Sequence, residues 1–571
     1  MKSQSKQSTN PGAVEKTHFP RRSPEQVMRL ARMGSSHQGR LSFMRTLLRR
    51  LQREQWTFER SVWEIDDSGV GRAVYQARGP ERTYSLVAFS HDLPDEMRSD
   101  RVIAEAWDAT FALFDGVPTE ADLQRLAANV PKQEAGRVSI KELSLSRANR
   151  STRLFSAVVE ALAKGEQPDA GELESIGYLM RTTAVYGSGK FGAADREDIC
   201  ERPEFVGSFQ VEMLNVWLIR TFTVDLVEHM AQVRGGDKAV PLEPVIRRCI
   251  GVGNSTGLGM APFMVNHPHL LNNWIIAREE AVARVRSIRR VDSESVALFT
   301  SYLQRVQRIA MEWSSNHELQ QTKIARYRAD LQSLSNHIAT FDFGADYPWN
   351  ALIEWAEISL SLEGEEQLCM LLLEPYPEQV DGLTDCMTAD EHALPRIEGG
   401  LSVTALRDWL NTYYHWALTA DFAPDTSRSR FWYVSEEKLE PRLGERFDEP
   451  GMELEQPLCI GWHVHSLNAA LANWPDPEST VAEFLMQHPE FRHVVRRVQQ
   501  ADKFPYMEVQ DNLIGAKMLP IDLLRLKLSF FGATKFDPRS DRWLRITMFQ
   551  HAPYPHELHA RSADDWVYPD A

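Results

Sequence analysis

The chain reads as a mostly helical α+β protein, with a large central helical bundle, a small N-terminal antiparallel sheet and a mixed α+β C-terminal portion. Three observations predict this. Residues 56–91 alternate apolar and polar side chains between turn signals, residues 142–337 carry long patterns of helical period, and the final third mixes helical and strand-like segments. At 571 residues the chain is too long for one ordinary core. It divides into a disordered tail (1–23), a basic helix with a small sheet and covering helix (24–140), a helical bundle carrying glycine-rich loops (141–345) and a mixed portion (346–571).

The tail is polar and turn-rich, a composition that does not fold alone. A basic amphipathic helix follows from about Pro24 to Glu54. The stretch WTFERSVWEIDDSGVGRAVYQARGPERTYSLVAFSH is punctuated by Asp-Asp-Ser-Gly and Arg-Gly-Pro-Glu, which predicts three antiparallel strands. RVIAEAWDATFALF, Arg101 to Phe114, is expected to be a helix covering one face. Beyond Glu142 the pattern is helical, and FQVEMLNVWLIRTFTVDLVEHMAQVR is stopped by Gly235-Gly236. Residues 293–337 give one very long helix or two meeting near Ser314-Ser315-Asn316. No heptad holds strictly there, which favours an antiparallel pair inside a bundle over a free coiled coil. Further on, LSVTALRDWLNTYYHWAL reads as helix, while SRFWYVSE, ELEQPLCIGWHVHSL and DRWLRITMFQH contain strand-like segments.

Composition narrows the function classes. The net charge of −16 opposes wholesale nucleic-acid binding, so no DNA partner is expected. The charge is uneven, with thirteen Lys/Arg against four acids in residues 1–60. Basic residues 24–60 suit RNA, an acidic lipid surface or the acidic body of the same chain, and the last is the simplest partner. Five scattered cysteines without a CxxC pair argue against a disulfide framework or zinc ribbon. No apolar run approaches the ~18–20 residues of a transmembrane helix, and no secretory h-region is evident. A cytoplasmic protein is expected, and a homo-oligomer is compatible with the sequence.

Two glycine clusters draw attention. CIGVGNSTGLGMAP places Gly251, Gly253, Gly257 and Gly259 between apparent helices, with Asn254, Ser255 and Thr256 as side-chain donors. Pro262 or Pro268 suits a helix start, and backbone amides beside a helix N-terminus favour a phosphate or carboxylate. The alternative is that the glycines allow close packing and tight turns. No GK[ST] follows, which excludes a Walker loop. Upstream, Gly187-Ser-Gly189-Lys-Phe-Gly192 formally matches GxGxxG, but the preceding segment has helical spacing and the following one is polar. NAD or FAD on a Rossmann fold is therefore not supported. Arg181, Tyr186, Ser188 and Lys190 crowd this second segment, and a lysine among glycines holds an anion or acts as a base.

The stretch 461–468 would, as a strand, direct His463 and His465 to one face and suit a single metal ion. Arg147, Arg150 and Arg153 would line one side of a helix as an anion clamp. HExxH, kinase and EF-hand signatures are absent. The sequence thus points to an enzyme for a small anionic metabolite, a carboxylate or phosphate, of lyase or isomerase type. The loops 181–192 and 251–267 would bind the anion through Arg181, Ser188 and the glycine-rich donors. Lys190, Tyr186, His267 and His465 are the candidates for charge and proton transfer. Two alternatives remain: a divalent-metal enzyme centred on His463 and His465, and a non-catalytic helical scaffold with a basic arm.

Overall fold

The computed structural model describes residues 18–94, 106–133, 139–182, 199, 202–255, 267–389, 395–420, 430–434, 439–443, 453–454, 460–511, 525, 527–533, 535–536 and 545–568. Helices dominate, and the fold is α+β, as expected. Strands β1 (Thr57–Ile65), β2 (Gly71–Arg78), β3 (Thr83–Ser90), β4 (Ala109–Asp115), β5 (Glu142–Arg150), β6 (Tyr178–Thr182), β7 (Gly251–Ser255), β11 (Lys535–Phe536) and β12 (Arg545–Met548) join in one nine-stranded sheet. Its order is β1-β2-β3-β4-β5-β6-β7-β12-β11. Strands β8 (Arg430–Val434), β9 (Leu439–Leu443) and β10 (Glu453–Leu454) form a separate three-stranded sheet.

The alternation in residues 56–91 does produce β1 to β3, paired antiparallel. The segment expected to be a covering helix instead supplies β4. Phe111 and Leu113 enter the main core, while Ala112 and Phe114 enter a smaller core on the other face. A strand buried on both faces shows no alternation in its sequence and is easily confused with a helix. The helix Glu120–Asn129 covers that smaller core with Leu123 and Leu126, after a capping box at Thr119. On the opposite face lies the helix Gln210–Gly235, crossing β3 to β7. Its buried Asn215 donates to Ser144 Oγ and Ser146 Oγ on β5 at 3.0 and 3.2 Å.

Residues 293–337, read as one very long helix or two, form the two helices Ser293–Glu312 and Glu318–Ile338, which pack on each other. Helices Val403–Tyr413, His415–Thr419, Ile460–Ala472, Val481–Gln487 and Arg492–Val498 enclose a core of their own around Leu406, Tyr414, Val464, Leu467 and Phe484.

The basic N-terminal segment does not project from the molecule. Its arginines are spent on carboxylates of the same chain. Arg22 is only 3% exposed although the composition places it in the tail. Its guanidinium donates to Glu279 at 2.8 and 2.9 Å and to Glu366 at 2.7 Å. Arg32 donates to Glu365, and Arg278 donates to Glu279 at 2.9 Å. Further along, Arg45 grips Glu374 with two bonds of 2.7 Å and Asp564 with one of 2.8 Å. Arg40 and Arg49 share Asp381. The acceptors Glu365, Glu366 and Glu374 lie on or at the end of the buried helix Leu362–Leu373.

Burial by itself pushes the Asp564 carboxyl up, but Arg45, Arg49 and Arg40 outweigh it and hold the group well below the usual carboxylate range. Burial and the pull of Arg22 and Arg278 compete in the same way at Glu279, again with a net lowering. Breaking one partner of such a buried pair costs about 3–5 kcal/mol, because an uncompensated charge remains. Arg45→Ala should therefore lower the unfolding free energy by about that amount. Carboxylates with depressed folded values stabilise above their unfolded value, and that stability is lost as pH falls through the folded value. Acid denaturation of Arg45→Ala, followed by circular dichroism, should accordingly begin at higher pH than in the wild type.

His37 gives a second pH signature. Burial pushes its imidazole from the ordinary 6.5 down to about 4, partly opposed by the hydrogen bond to Gln367. Its Nδ1 lies 3.0 Å from Gln367 Oε1, and the ring stacks on Trp313. The folded state therefore prefers neutral His37, and this contribution is complete above pH 6.5 and lost toward pH 4. Titrating unfolding free energy over that window should show a decline of roughly 3 kcal/mol that His37→Gln flattens.

Candidate site at the ends of the parallel strands

Strands β6 and β7 are neighbours and run parallel, with Arg181 paired to Gly253 and Thr182 to Asn254. This is the sheet's one parallel pairing among the described residues. The helix Ala170–Ile176 ends at Gly177 in the left-handed conformation and delivers the chain into β6. The short helix Pro244–Arg248 delivers it into β7. At their carboxyl ends the chain leaves β6 after Thr182 and β7 after Ser255, on adjacent strands. Each glycine-rich segment of the sequence continues from one of these exits. In open sheets, ligands sit beyond the carboxyl ends of parallel strands.

The exits are polar. Asn254 is buried, and its Nδ2 donates to the Thr182 carbonyl at 3.4 Å. Thr182 Oγ1 donates to the Arg147 carbonyl on β5 at 3.2 Å. Arg181 is half-buried and pairs in register with Asn149. Beside them Asp108, fully buried, accepts from the Arg150 amide at 2.9 Å, and its own amide donates to Asn149 Oδ1 at 3.1 Å. Arg181 and Asn254 thus lie on adjacent strands, and the buried Asp108 is tied to the neighbouring β5.

The arginine clamp expected on a helix is corrected by this arrangement. Arg147 and Arg150 lie on strand β5, where an odd spacing sends them to opposite faces. Arg147 stacks over Trp107 at 4.2 Å and Arg150 over Phe155 at 4.6 Å.

The reading of residues 251–255 as a loop between two helices is corrected as well. Gly251, Gly253, Asn254 and Ser255 form a strand inside the sheet. Both glycines serve close packing. A Cβ on Gly251 would lie 2.5 Å from the Met548 carbonyl oxygen, and one on Gly253 would lie 2.7 Å from Tyr178 Cγ. Neither glycine has a positive φ, so space and not conformation requires them. Thr256, Gly257 and Gly259 lie outside the described residues, as do Tyr186, Ser188 and Lys190.

His267 precedes the helix Pro268–Arg286, which starts at the second of the two prolines considered. The next histidine, His269, stacks on Phe504 with ring centroids 3.9 Å apart. His463 and His465 do not form the expected pair. They lie on the helix Ile460–Ala472, where residues two apart point in nearly opposite directions. His463 is buried and His465 exposed. His463 instead faces His493, ring centroids 5.0 Å apart, and burial together with His463 pushes the His493 imidazole down. The alternation Trp-His-Val-His resembles a strand over four residues, but the run continues through SLNAALA, a good helix former.

Sequence reasoning missed Asp108, which sits in the segment misread as helix and carries no motif. Compared with known proteins, the chain matches no family model, no curated protein and no solved structure.

The packing role of the glycines has a direct check. Gly251→Ala and Gly253→Ala should each lower the denaturation midpoint, by about 1–3 kcal/mol of overpacking. Gly382→Ala, whose added Cβ meets nothing within 4 Å, should leave it near the wild-type value.

Proposed function

We propose that the chain is an enzyme for a small anionic metabolite, a carboxylate or phosphate, and that the substrate binds at the carboxyl ends of β6 and β7. The observation that supports this reading is the parallel pairing of these two strands, with Arg181 and Asn254 at their ends. In sequence, both glycine-rich segments continue from these two strand ends. Arg181 supplies positive charge, and its planar guanidinium suits a carboxylate or phosphate.

In this reading the chemistry is general acid/base catalysis of lyase or isomerase type. Lys190 and Tyr186, which follow β6 in the chain, remain the sequence-derived candidates for proton transfer, with His267 following the second glycine-rich segment. His465, exposed on a helix of the separate C-terminal core, is not part of this reading. The scaffold reading loses its basic arm, since Arg22, Arg32, Arg40 and Arg45 are buried in internal ion pairs.

A thermal-shift screen of the full chain against small carboxylates and phosphates tests the proposal. At a concentration of 100 times Kd, a ligand should stabilise the wild type by about 2.7 kcal/mol. Arg181→Ala and Lys190→Ala should lose most of that shift. If no anion stabilises the wild type at millimolar concentration, the site assignment fails.

A further inference from the structure

At the opposite ends of β6 and β7 a second cluster of side chains converges, built from three distant parts of the chain. Glu174 lies on the Ala170–Ile176 helix just before β6, Cys249 caps the Pro244–Arg248 helix just before β7, and His551 follows β12. A Glu174 carboxylate oxygen, the Cys249 sulfur and a His551 ring nitrogen all lie within 4.8 Å of one another. His551 Nε2 is 3.1 Å from Glu174 Oε1. All three residues are half-buried, so they are shaped by the fold and still reachable from solvent.

The backbone around them is tightly tied. His551 has a φ of +65°, a conformation that non-glycine residues rarely adopt. It is held there by its amide, which donates to the Arg248 carbonyl at 2.7 Å, while Arg248 Nε donates to the His551 carbonyl at 3.0 Å. The neighbouring Gln550 side chain donates to the Glu174 carbonyl at 3.2 Å. The Gly251 amide donates to the Gly177 carbonyl at 2.7 Å, joining the two strand entrances. A Cβ on Gly177 would come within 2.9 Å of Thr547 Oγ1, so this corner closes only with glycine there. The three donors are thus held by direct bonds between the segments that carry them.

We propose that Glu174, Cys249 and His551 form a binding site for a divalent transition-metal ion of the zinc class. One sulfur, one nitrogen and one oxygen donor are the mixture that zinc accepts, at about 2.3, 2.0 and 2.0–2.2 Å. Ligand atoms of a tetrahedral ion then stand roughly 3.3–3.8 Å apart. The cluster closes to that size through side-chain adjustments of about an ångström. Calcium and magnesium take oxygen donors, so the thiol selects against them. Three protein donors leave a fourth position for water, the arrangement of zinc sites that stay open to solvent. A histidine–glutamate ion pair alone would account for two of the three residues. The thiol distinguishes the metal site, so the test is aimed at it.

The full chain, stripped with a chelator, is titrated with Co²⁺ and followed by absorption. The expected result is one ion per chain, a thiolate-to-cobalt charge-transfer band in the near ultraviolet, strong visible bands of a four-coordinate ion, and displacement by Zn²⁺. Cys249→Ser should remove the charge-transfer band, and His551→Ala and Glu174→Gln should weaken binding by at least about tenfold. Four other cysteines exist, so persistence of the band in Cys249→Ser overturns the proposal, as does the absence of cobalt binding at millimolar concentration. A second measurement needs no variant. Zn²⁺ should slow iodoacetamide modification of Cys249, mapped by mass spectrometry, in the wild-type chain, and an unchanged rate overturns the assignment. Neither readout involves the anion site at the other end of the strands.

Discussion

The fold depends on the neutralisation of a buried row of carboxylates. Glu279, Glu365, Glu366 and Glu374 are all less than 4% exposed, and left alone each would be a buried charge of prohibitive energy. The arginines of the N-terminal segment, with Arg278, meet them through short and often paired bonds. The helix Leu362–Leu373 is buried on every side and still carries two adjacent glutamates, which is tolerable only with Arg22 and Arg32 in place. Docking of the N-terminal segment is therefore a condition of the core. A second set of ion pairs joins Arg40 and Arg45 to Glu374 and to Asp564, and so ties a segment more than five hundred residues further along to the N-terminal one.

The nine-stranded sheet organises what remains. Its first six strands form an antiparallel meander, and the parallel addition of β7 breaks that pattern. A parallel neighbour needs a long crossover, and here the helix Gln210–Gly235 supplies much of it while covering the sheet face. The break gives the two ends of β6 and β7 different characters. At the carboxyl ends, arginine, asparagine and threonine gather where the glycine-rich segments begin. At the amino ends, glycines 177 and 251 allow β12 and the turn after it to approach closely enough to deliver His551.

Much of this was legible in particular residues. The alternation in β1 to β3 and the stop at Gly235-Gly236 follow from local propensity and period, while Pro268 and the break near residue 315 were each one of two readings the sequence left open. The glycines at 251 and 253 were marked as places of close approach, by a ligand or by packed neighbours, and packed neighbours are what surround them. Their neighbours are Met548, Tyr178 and Arg181, protein and not ligand. The segments forming β4 to β7 were misread because a strand buried on both faces, or a five-residue strand rich in glycine, has no period of its own. The helix at Ile460–Ala472 was misread for the converse reason, a four-residue alternation inside a helical run.

The sequence by itself determined the class of the protein, the existence and type of its long periodic elements, and the excess of basic residues in the first sixty positions. Those properties are local, set by backbone propensity, by side-chain period and by simple counts of charge. Only the tertiary structure decided that the basic segment answers the chain's own glutamates and that β6 and β7 lie side by side and parallel. It alone decided that Glu174, Cys249 and His551 meet. These are pairings between residues tens to hundreds of positions apart, and their energies arise from burial and close contact, which exist only once the chain has folded.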